Sequence, residues 1–171
     1  PIGHPDRYTA NVLNTILGGG VSSRLFQQLR EKRGLAYTIY SHLSGFSDGG
    51  LLTIYAATRS EEVESVIQQV CKEIKKLCRR GVTEVELQRT KTQLKGNLML
   101  GLEGTYGRMN KLAKNELYQG RYVSLQEMVR EIERISVDDI NQLSQQLLDI
   151  NGLVVTALGP VAKGVTLNEI H

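Results

Sequence analysis

The residues that could bind a catalytic metal ion are three histidines, which stand far apart in the chain at His4, His42 and His171. A local catalytic zinc site uses two histidines on one helical turn, together with a glutamate that activates the metal-bound water. No Glu-His dipeptide occurs in the chain. We therefore expect no metal site built from neighbouring residues. A site assembled from all three distant histidines is the alternative that these residues leave open.

A glycine-rich segment is the second place where the sequence could do chemistry. Gly18, Gly19 and Gly20 come just before Ser22 and Ser23, and backbone N–H groups at the start of a helix attract anions. The Gly-Lys-Ser/Thr sequence of a phosphate-binding loop and the strand that should precede it are both absent. The segment is therefore interpreted as a glycine turn between two helices.

The two cysteines, Cys71 and Cys78, are seven residues apart in one predicted helix. That spacing separates them by roughly 10 Å along the helix axis, whereas a disulfide needs Cα atoms within about 7 Å of each other. We expect both to be free thiols that fill core positions in a reducing compartment.

The first half of the chain is predicted to form two helices and a hairpin. The start signal at residues 4–6 and the apolar residues that follow predict a helix up to Gly18. Ser22 or Ser23 is expected to cap a second helix, which Gly34 ends. Segments 35–43 and 51–58 are rich in β-branched and aromatic residues and predict two strands. The Asp48-Gly49 turn joins these strands.

The second half is predicted to be mainly helical. An apolar stripe predicts a helix over 60–80, and a long helical stretch to residue 119 is expected to break near Gly101, Gly104 and Gly107. Three capping signals mark helix starts, and they are the pairs Thr83/Glu86 and Ser124/Glu127 and the run Ser136, Asp138 and Asp139. A final strand is expected over 153–158.

These elements predict an α+β fold in two layers, a largely antiparallel sheet with helices packed on one face. The 171 residues suit a single domain, 1–171. Three strands are few for so many helices, and the chain starts at Pro1 without a methionine. We therefore expect that a strand before Pro1 was removed, so no targeting signal can be assessed.

Composition narrows the function classes. Hydrophobic residues make up 40% and charged residues 23% of the chain, which is typical of a globular protein, and no apolar run is long enough to span a bilayer. The net charge of +3 is far below the dense Lys/Arg clustering of a nucleic-acid-binding domain. We expect neither a membrane segment nor a nucleic-acid partner, and salt-sensitive oligonucleotide binding would contradict this expectation.

Residues 17–40, LGGGVSSRLFQQLREKRGLAYTIY, carry a resemblance to a known family. The stretch resembles the second half of insulinase/pitrilysin (M16) metallopeptidases. It is most similar to bacterial processing-peptidase-like proteins and to the β subunit of mitochondrial processing peptidase. The resemblance implies one half of a two-half architecture that encloses a chamber. In that architecture the N-terminal half, as the same polypeptide or as a partner subunit, holds zinc on an H-x-x-E-H motif. This chain would then be the zinc-free C-terminal half, which binds no cofactor itself and is inactive alone.

The resemblance also implies a role for Arg30 and Tyr37. They would reach across to the active site of the other half and donate hydrogen bonds to the carbonyl of an unstructured peptide substrate. The glycine-rich segment would line the chamber and contact the peptide. The alternative is that Arg30 is a solvated cation at a helix end, and that Tyr37 is a rim tyrosine on the strand face of Leu35 and Ile39.

For the parent protein, the alternative is a non-catalytic scaffold of the same fold, and an intact H-x-x-E-H motif upstream would decide for the peptidase. The resemblance to bacterial proteins implies the bacterial cytoplasm. An exposed sheet edge and a half-chamber surface predict self-association of the isolated chain.

Overall fold

The computed structural model describes residues 1–160. Within them a short hairpin is followed and preceded by helices, which confirms the predicted α+β class. The elements are α1 (Arg7–Gly18), β1 (Thr38–Gly45), β2 (Gly50–Ala57), α2 (Val63–Arg80), α3 (Glu84–Gly101), α4 (Thr105–Gln119), α5 (Leu125–Arg134) and α6 (Val137–Leu147). A π-helical segment, Phe26–Glu31, lies between α1 and β1, and a 3₁₀ turn, Ser60–Glu62, precedes α2.

Helix α1 lies at the centre of the fold and packs against β1, α3, α5 and α6. Its last residue, Gly18, touches the sheet, because a Cβ built there would lie 2.5 Å from the backbone nitrogen and the Oγ of Ser41. The Ser41 hydroxyl donates to the Asn14 carbonyl at 3.1 Å. The helix therefore approaches the strand more closely than a side chain at position 18 would allow.

The second helix differs from the prediction in type and in cap. It is π-helical over Phe26–Glu31, and no side chain caps it. The Ser22 hydroxyl donates instead to the Gln93 side chain at 3.5 Å, and the Ser23 hydroxyl is turned into the interior. The predicted end at Gly34 is confirmed, since Gly34 has a left-handed φ of 62°.

The predicted hairpin is confirmed, with its first strand shifted. Strands β1 and β2 pair in antiparallel register, from Thr38 opposite Ala57 to Gly45 opposite Gly50. β1 begins three residues later than predicted because the Leu35 N–H still donates to the Leu29 carbonyl, at 2.8 Å. Residues 35–37 thus form a connection between the helical segment and β1.

The helices of the second half follow the prediction, and only their caps differ. Ser136 and Asp139 form a capping box in both directions. Thr83 and Ser124 accept the N–H groups of Glu86 and Glu127, but the two glutamate side chains bind arginines and leave these boxes half formed. Glycines mark the end of α2, at Gly81, and both sides of the α3–α4 break, at Gly101 and Gly104.

The predicted last strand is wrong. Residues 153–158 form no strand, and in the described part of the chain the sheet has two strands. A groove of about 1730 Å³ lies along β2, lined by both β2 and this segment. Strand geometry needs a neighbouring strand at about 4.8 Å, and β2 pairs only with β1. The segment is extended but unpaired.

The hydrophobic core lies under one face of the hairpin. It joins α1, the inward residues of β1 and the apolar stripe of α2, with contributions from α3 and α6. Among its most buried members are Val12, Leu13, Ile16, Leu17, Leu25, Leu29, Ile39, Ile74, Leu77, Leu87 and Ile140. No helix within residues 1–160 is long and apolar enough to cross a membrane.

Candidate functional site

Arg30 lies in the π-helical segment, on the side that faces solvent. The wider turn is visible in the backbone, where the Lys32 N–H donates to the Gln27 carbonyl five residues earlier, at 3.1 Å. The preceding residue, Leu29, is fully buried and holds the segment against the core. The Arg30 guanidinium stands over the ring of Phe26, 5.0 Å from its centroid. The buried Leu29 thus fixes the segment, while the Arg30 guanidinium remains accessible to solvent.

Tyr37 lies between the end of that segment and the start of β1. Its backbone N–H donates to the Ala57 carbonyl at 2.8 Å, so the main chain is fixed to the sheet. Its side chain is 66% exposed, whereas Ile39 is 3% exposed. Tyr37 is thus exposed where Ile39 is buried, and it lies one residue before the start of β1.

Gly34 reverses the chain between Arg30 and Tyr37. Its N–H donates to the Arg30 carbonyl at 3.2 Å. Within residues 1–160, neither the guanidinium of Arg30 nor the hydroxyl of Tyr37 has a hydrogen-bond partner. Both groups are donors, so each is available to donate a hydrogen bond to an acceptor outside the domain.

The glycine-rich segment divides into buried and exposed residues. Gly18 and Ser23 are buried and cannot contact a peptide without a rearrangement. Gly19 and Ser22 are exposed, and Gly20 is half-buried beside the Gln93 side chain. The structure therefore brings Gly19, Gly20 and Ser22 to the surface and leaves the other two residues in the packing.

Arg24 is a charged residue whose role the sequence does not reveal. Its guanidinium binds both oxygens of the Glu86 carboxylate, at 2.8 and 2.7 Å, and the Gly81 carbonyl at 2.8 Å. Because these contacts use its donors, Arg24 is a structural link between the π-helical segment and the α2–α3 junction. It is not free to bind substrate.

Two of the three histidines, His4 and His42, lie within the described residues. The His4 Nδ1 accepts the Asp6 N–H at 3.1 Å, and His42 lies beside the Tyr40 ring, with the ring centroids 6.0 Å apart. His171 lies outside the described residues. No group of three or more His, Cys, Asp or Glu side chains within residues 1–160 could hold a metal ion.

The two cysteines are free. Burial raises the pKa of the Cys71 thiol and that of the Cys78 thiol. The Cys78 thiol also contacts the carbonyls of Ser144 and Leu148, at 3.6 and 3.8 Å. A raised pKa leaves little thiolate near neutral pH, so these residues are suited to packing rather than to nucleophilic chemistry.

The outward face of the hairpin carries aromatic residues that the sequence interpretation missed. Tyr40 and Tyr55 are direct cross-strand partners, and their rings stack with centroids 5.2 Å apart. Together with His42 they form what we call the aromatic face. The sequence signal did not give this register, because a two-residue turn at Asp48-Gly49 would place residue 40 opposite residue 57, whereas the turn spans residues 46–49 and places it opposite residue 55.

A comparison with protein families matches residues 1–94 to the family described as the peptidase M16 inactive domain. The chain belongs to the M16 peptidase family and corresponds to the C-terminal half-domain of that family.

The relatives of this chain are named as zinc proteases. The chain is 41% identical over 146 residues to the uncharacterized zinc protease YmxG of Bacillus subtilis, covering 85% of this chain and 36% of that protein. It is 43% identical over 142 residues to an uncharacterized zinc protease of Streptomyces coelicolor, covering 83% of this chain and 31% of that protein. The chain thus spans about a third of the length of these relatives.

A solved structure shows the same arrangement. The peptidase M16 inactive domain from Pseudomonas fluorescens superposes with a TM-score of 0.77 at 26% identity, over 85% of this chain and 35% of that one. This likeness supports the family assignment from the backbone, independently of the signature residues.

Proposed function

We propose that this domain is the substrate-binding, chamber-forming half of a zinc-dependent endopeptidase that acts on unstructured peptides. Its partner would be the catalytic N-terminal half-domain, in the same polypeptide or in a partner subunit. The observation that carries the proposal is the pair of exposed donors without hydrogen-bond partners, Arg30 next to the buried Leu29 and Tyr37 just before β1.

The two donors suit a peptide carbonyl. The guanidinium supplies charge-assisted hydrogen bonds, and the phenol supplies one neutral hydrogen bond. Donors held in place before the reaction stabilise the negative charge that develops on a carbonyl oxygen during hydrolysis. Arg30 and Tyr37 would therefore orient the substrate and lower the barrier, while the exposed Gly19, Gly20 and Ser22 offer backbone and hydroxyl contacts.

Residues 1–160 do not fit a zinc site, because their side chains supply no cluster of metal ligands. The names of the relatives as zinc proteases support zinc elsewhere in the parent protein. We place it in the N-terminal half, and the role proposed for this domain requires no metal bound to its own residues.

The test is made in the full-length protein that carries this domain. Arg30→Ala and Tyr37→Phe are expected to lower kcat/KM for an unstructured peptide by roughly 100-fold or more, as the loss of a transition-state donor does. Thermal stability and zinc content should be unchanged. Arg79→Ala and Tyr106→Phe are matched controls, because both residues are exposed and neither belongs to the proposed site.

Wild-type turnover in both Arg30→Ala and Tyr37→Phe would refute the role of the pair. A zinc-loaded full-length protein that hydrolyses no peptide would instead support the non-catalytic scaffold.

A further inference from the structure

The aromatic face is exposed although its residues are among the larger ones in the hairpin. The opposite face of β1 carries Ile39 and Ser41, which are buried against α1. On the outward face Tyr40 is 41% exposed and Tyr55 is 48% exposed. Within the described part of the chain no helix covers them. Large exposed aromatic surface on one side of a sheet marks a contact surface more often than a solvated one.

The stacked pair has a shape that a side chain can use. The two rings are 28° from parallel, so they form a nearly flat apolar surface, with His42 beside it. Another aromatic or bulky apolar side chain can pack on such a surface at ring separations of about 4.5–7 Å. A cross-strand tyrosine pair also stabilises a hairpin, and the experiment below separates that role from ligand binding.

The aromatic face begins three residues from Tyr37 along the chain. Tyr37 is joined to Ala57 of β2 by its N–H, and β1 begins at the next residue. At about 3.3 Å per residue, Tyr40 lies about 10 Å along the strand from Tyr37. An extended peptide advances by the same length in about three residues. A peptide held at Tyr37 that runs along β1 therefore brings a side chain onto the tyrosine pair.

The charges near this end of the hairpin decide which side chains fit. Arg30, Lys32 and Arg33 are exposed close to the start of β1, and their positive charge disfavours a basic substrate residue there. The tyrosine pair offers no carboxylate to offset that repulsion. An apolar or aromatic side chain carries no charge, so this repulsion does not act on it.

We propose that Tyr40 and Tyr55 form a specificity site for a bulky apolar or aromatic side chain about three residues from the peptide bond held by Arg30 and Tyr37. The inference rests on the proposed function, since it takes the peptide held at Tyr37 as the occupant. It specifies the position of one substrate residue and the class of side chain expected at that position.

The experiment uses the full-length protein and pairs of peptides that differ at one residue, which is Phe in one peptide and Ser in the other. This residue lies three positions from the cleaved bond, on its N-terminal side in one pair and on its C-terminal side in a second pair. Tyr40→Thr and Tyr55→Thr keep a β-branched residue in the strand. Each is expected to raise KM for the Phe peptide about three- to tenfold, which is the contribution expected of one aromatic contact, with less than a twofold change for the Ser peptide. Tyr55→Phe should keep the wild-type preference, and Tyr106→Ala on α4 is the control for loss of an exposed tyrosine.

The same peptides, fluorescently labelled, give a binding readout by anisotropy that does not depend on turnover. Equal effects of Tyr55→Thr on both peptides, or no effect on either, would overturn the specificity site. A change in oligomeric state without a change in peptide preference would overturn it too, because a protein partner would then be what covers the face.

Failure of this inference and failure of the proposed function give different results. If Arg30→Ala and Tyr37→Phe lower turnover of both peptides equally while the tyrosine variants change nothing, only the specificity site is wrong. If the tyrosine variants change the preference and the Arg30 and Tyr37 variants are wild type, the specificity site stands and the carbonyl-binding role is wrong.

Discussion

Arg24 and Glu86 form a bidentate ion pair between residues 62 positions apart, with N–O distances of 2.8 and 2.7 Å. The Arg24 side chain is only 15% exposed, and it also holds the Gly81 carbonyl. The pair therefore ties the π-helical segment that carries Arg30 to the junction of α2 and α3.

Removing this pair should cost stability. Arg24→Met keeps the length of the side chain and removes its hydrogen bonds, so the free energy of unfolding is expected to fall by about 1–3 kcal/mol. Urea denaturation monitored by circular dichroism measures it. The control is Arg134→Met, which removes the exposed Arg134–Glu131 pair and should change stability by less than about 0.5 kcal/mol. Equal effects of the two variants would contradict the structural role given to Arg24.

Two helical glycines are expected to respond oppositely to alanine. In a helix interior, Gly→Ala usually stabilises by about 0.5–1 kcal/mol. Gly96 follows this rule because nothing lies within 4 Å of a Cβ built there. Gly18 should not, since its Cβ would lie 2.5 Å from the backbone nitrogen of Ser41, and overpacking costs about 1–3 kcal/mol. Thermal melts of Gly18→Ala and Gly96→Ala should therefore shift in opposite directions. A stabilised Gly18→Ala variant would show that α1 and β1 do not approach so closely.

Much of this fold follows from local sequence signals. The apolar stripe of α2, the glycines at 34 and 81 and the Asp48-Gly49 turn each act within a few residues, and the structure confirms the elements that they predict. The Arg24–Glu86 pair joins distant positions and left no local trace. The π-helical turn also escaped prediction, because its apolar spacing resembles that of an α-helix over so few residues.

The error at residues 153–158 has a different cause. The segment has high β propensity, but a strand forms only beside a neighbour that satisfies its backbone groups. A propensity pattern does not show whether that neighbour exists.

The candidate site was also only partly predictable from the sequence. The roles of Arg30 and Tyr37 came from family resemblance and stay predictions, whereas their accessibility required the structure. The Tyr40–Tyr55 contact depends on cross-strand register.

The capping box of α6 should make stability depend on pH. The Ser136 hydroxyl and then the Ser136 N–H hydrogen-bond the Asp139 carboxylate, at 2.7 and 2.8 Å, and lower its pKa. A carboxyl group with a lowered pKa in the folded state binds fewer protons there than in the unfolded chain. Its stabilisation is therefore present above the unfolded pKa of about 3.9 and is lost as pH falls through the folded pKa.

Asp139→Asn tests this linkage by urea denaturation at about pH 7 and about pH 3. We expect the free energy of unfolding of Asp139→Asn to be lower than that of the wild type by about 0.5–1 kcal/mol at the higher pH, typical of a weakened cap. The difference between the two proteins should be smaller at the lower pH. Asp138→Asn is the matched control, because Asp138 shares the first turn and its charge near the helix dipole but not the capping box. A difference for Asp139→Asn that grows on acidification would have the wrong sign for this explanation.

Gly34 is where the fold and the proposed site meet. It adopts φ 62°, and no atom lies within 4 Å of a Cβ built there. The cost of Gly34→Ala is therefore a backbone cost, about 1–2 kcal/mol for a left-handed residue. Gly120, which ends α4, has φ 61° and equally open surroundings. Gly120→Ala should thus lose about the same stability, and thermal melts of the two variants should agree.

The two variants should differ in function. Gly34 sets the chain reversal between Arg30 and Tyr37, and its N–H binds the Arg30 carbonyl, whereas Gly120 lies on another helix. In the full-length protein, Gly34→Ala is expected to lower kcat/KM for peptides by about tenfold or more, because small displacements of positioning groups are costly. Gly120→Ala should retain wild-type turnover. If both variants lose stability equally and neither loses activity, the geometry between Arg30 and Tyr37 does not limit the reaction.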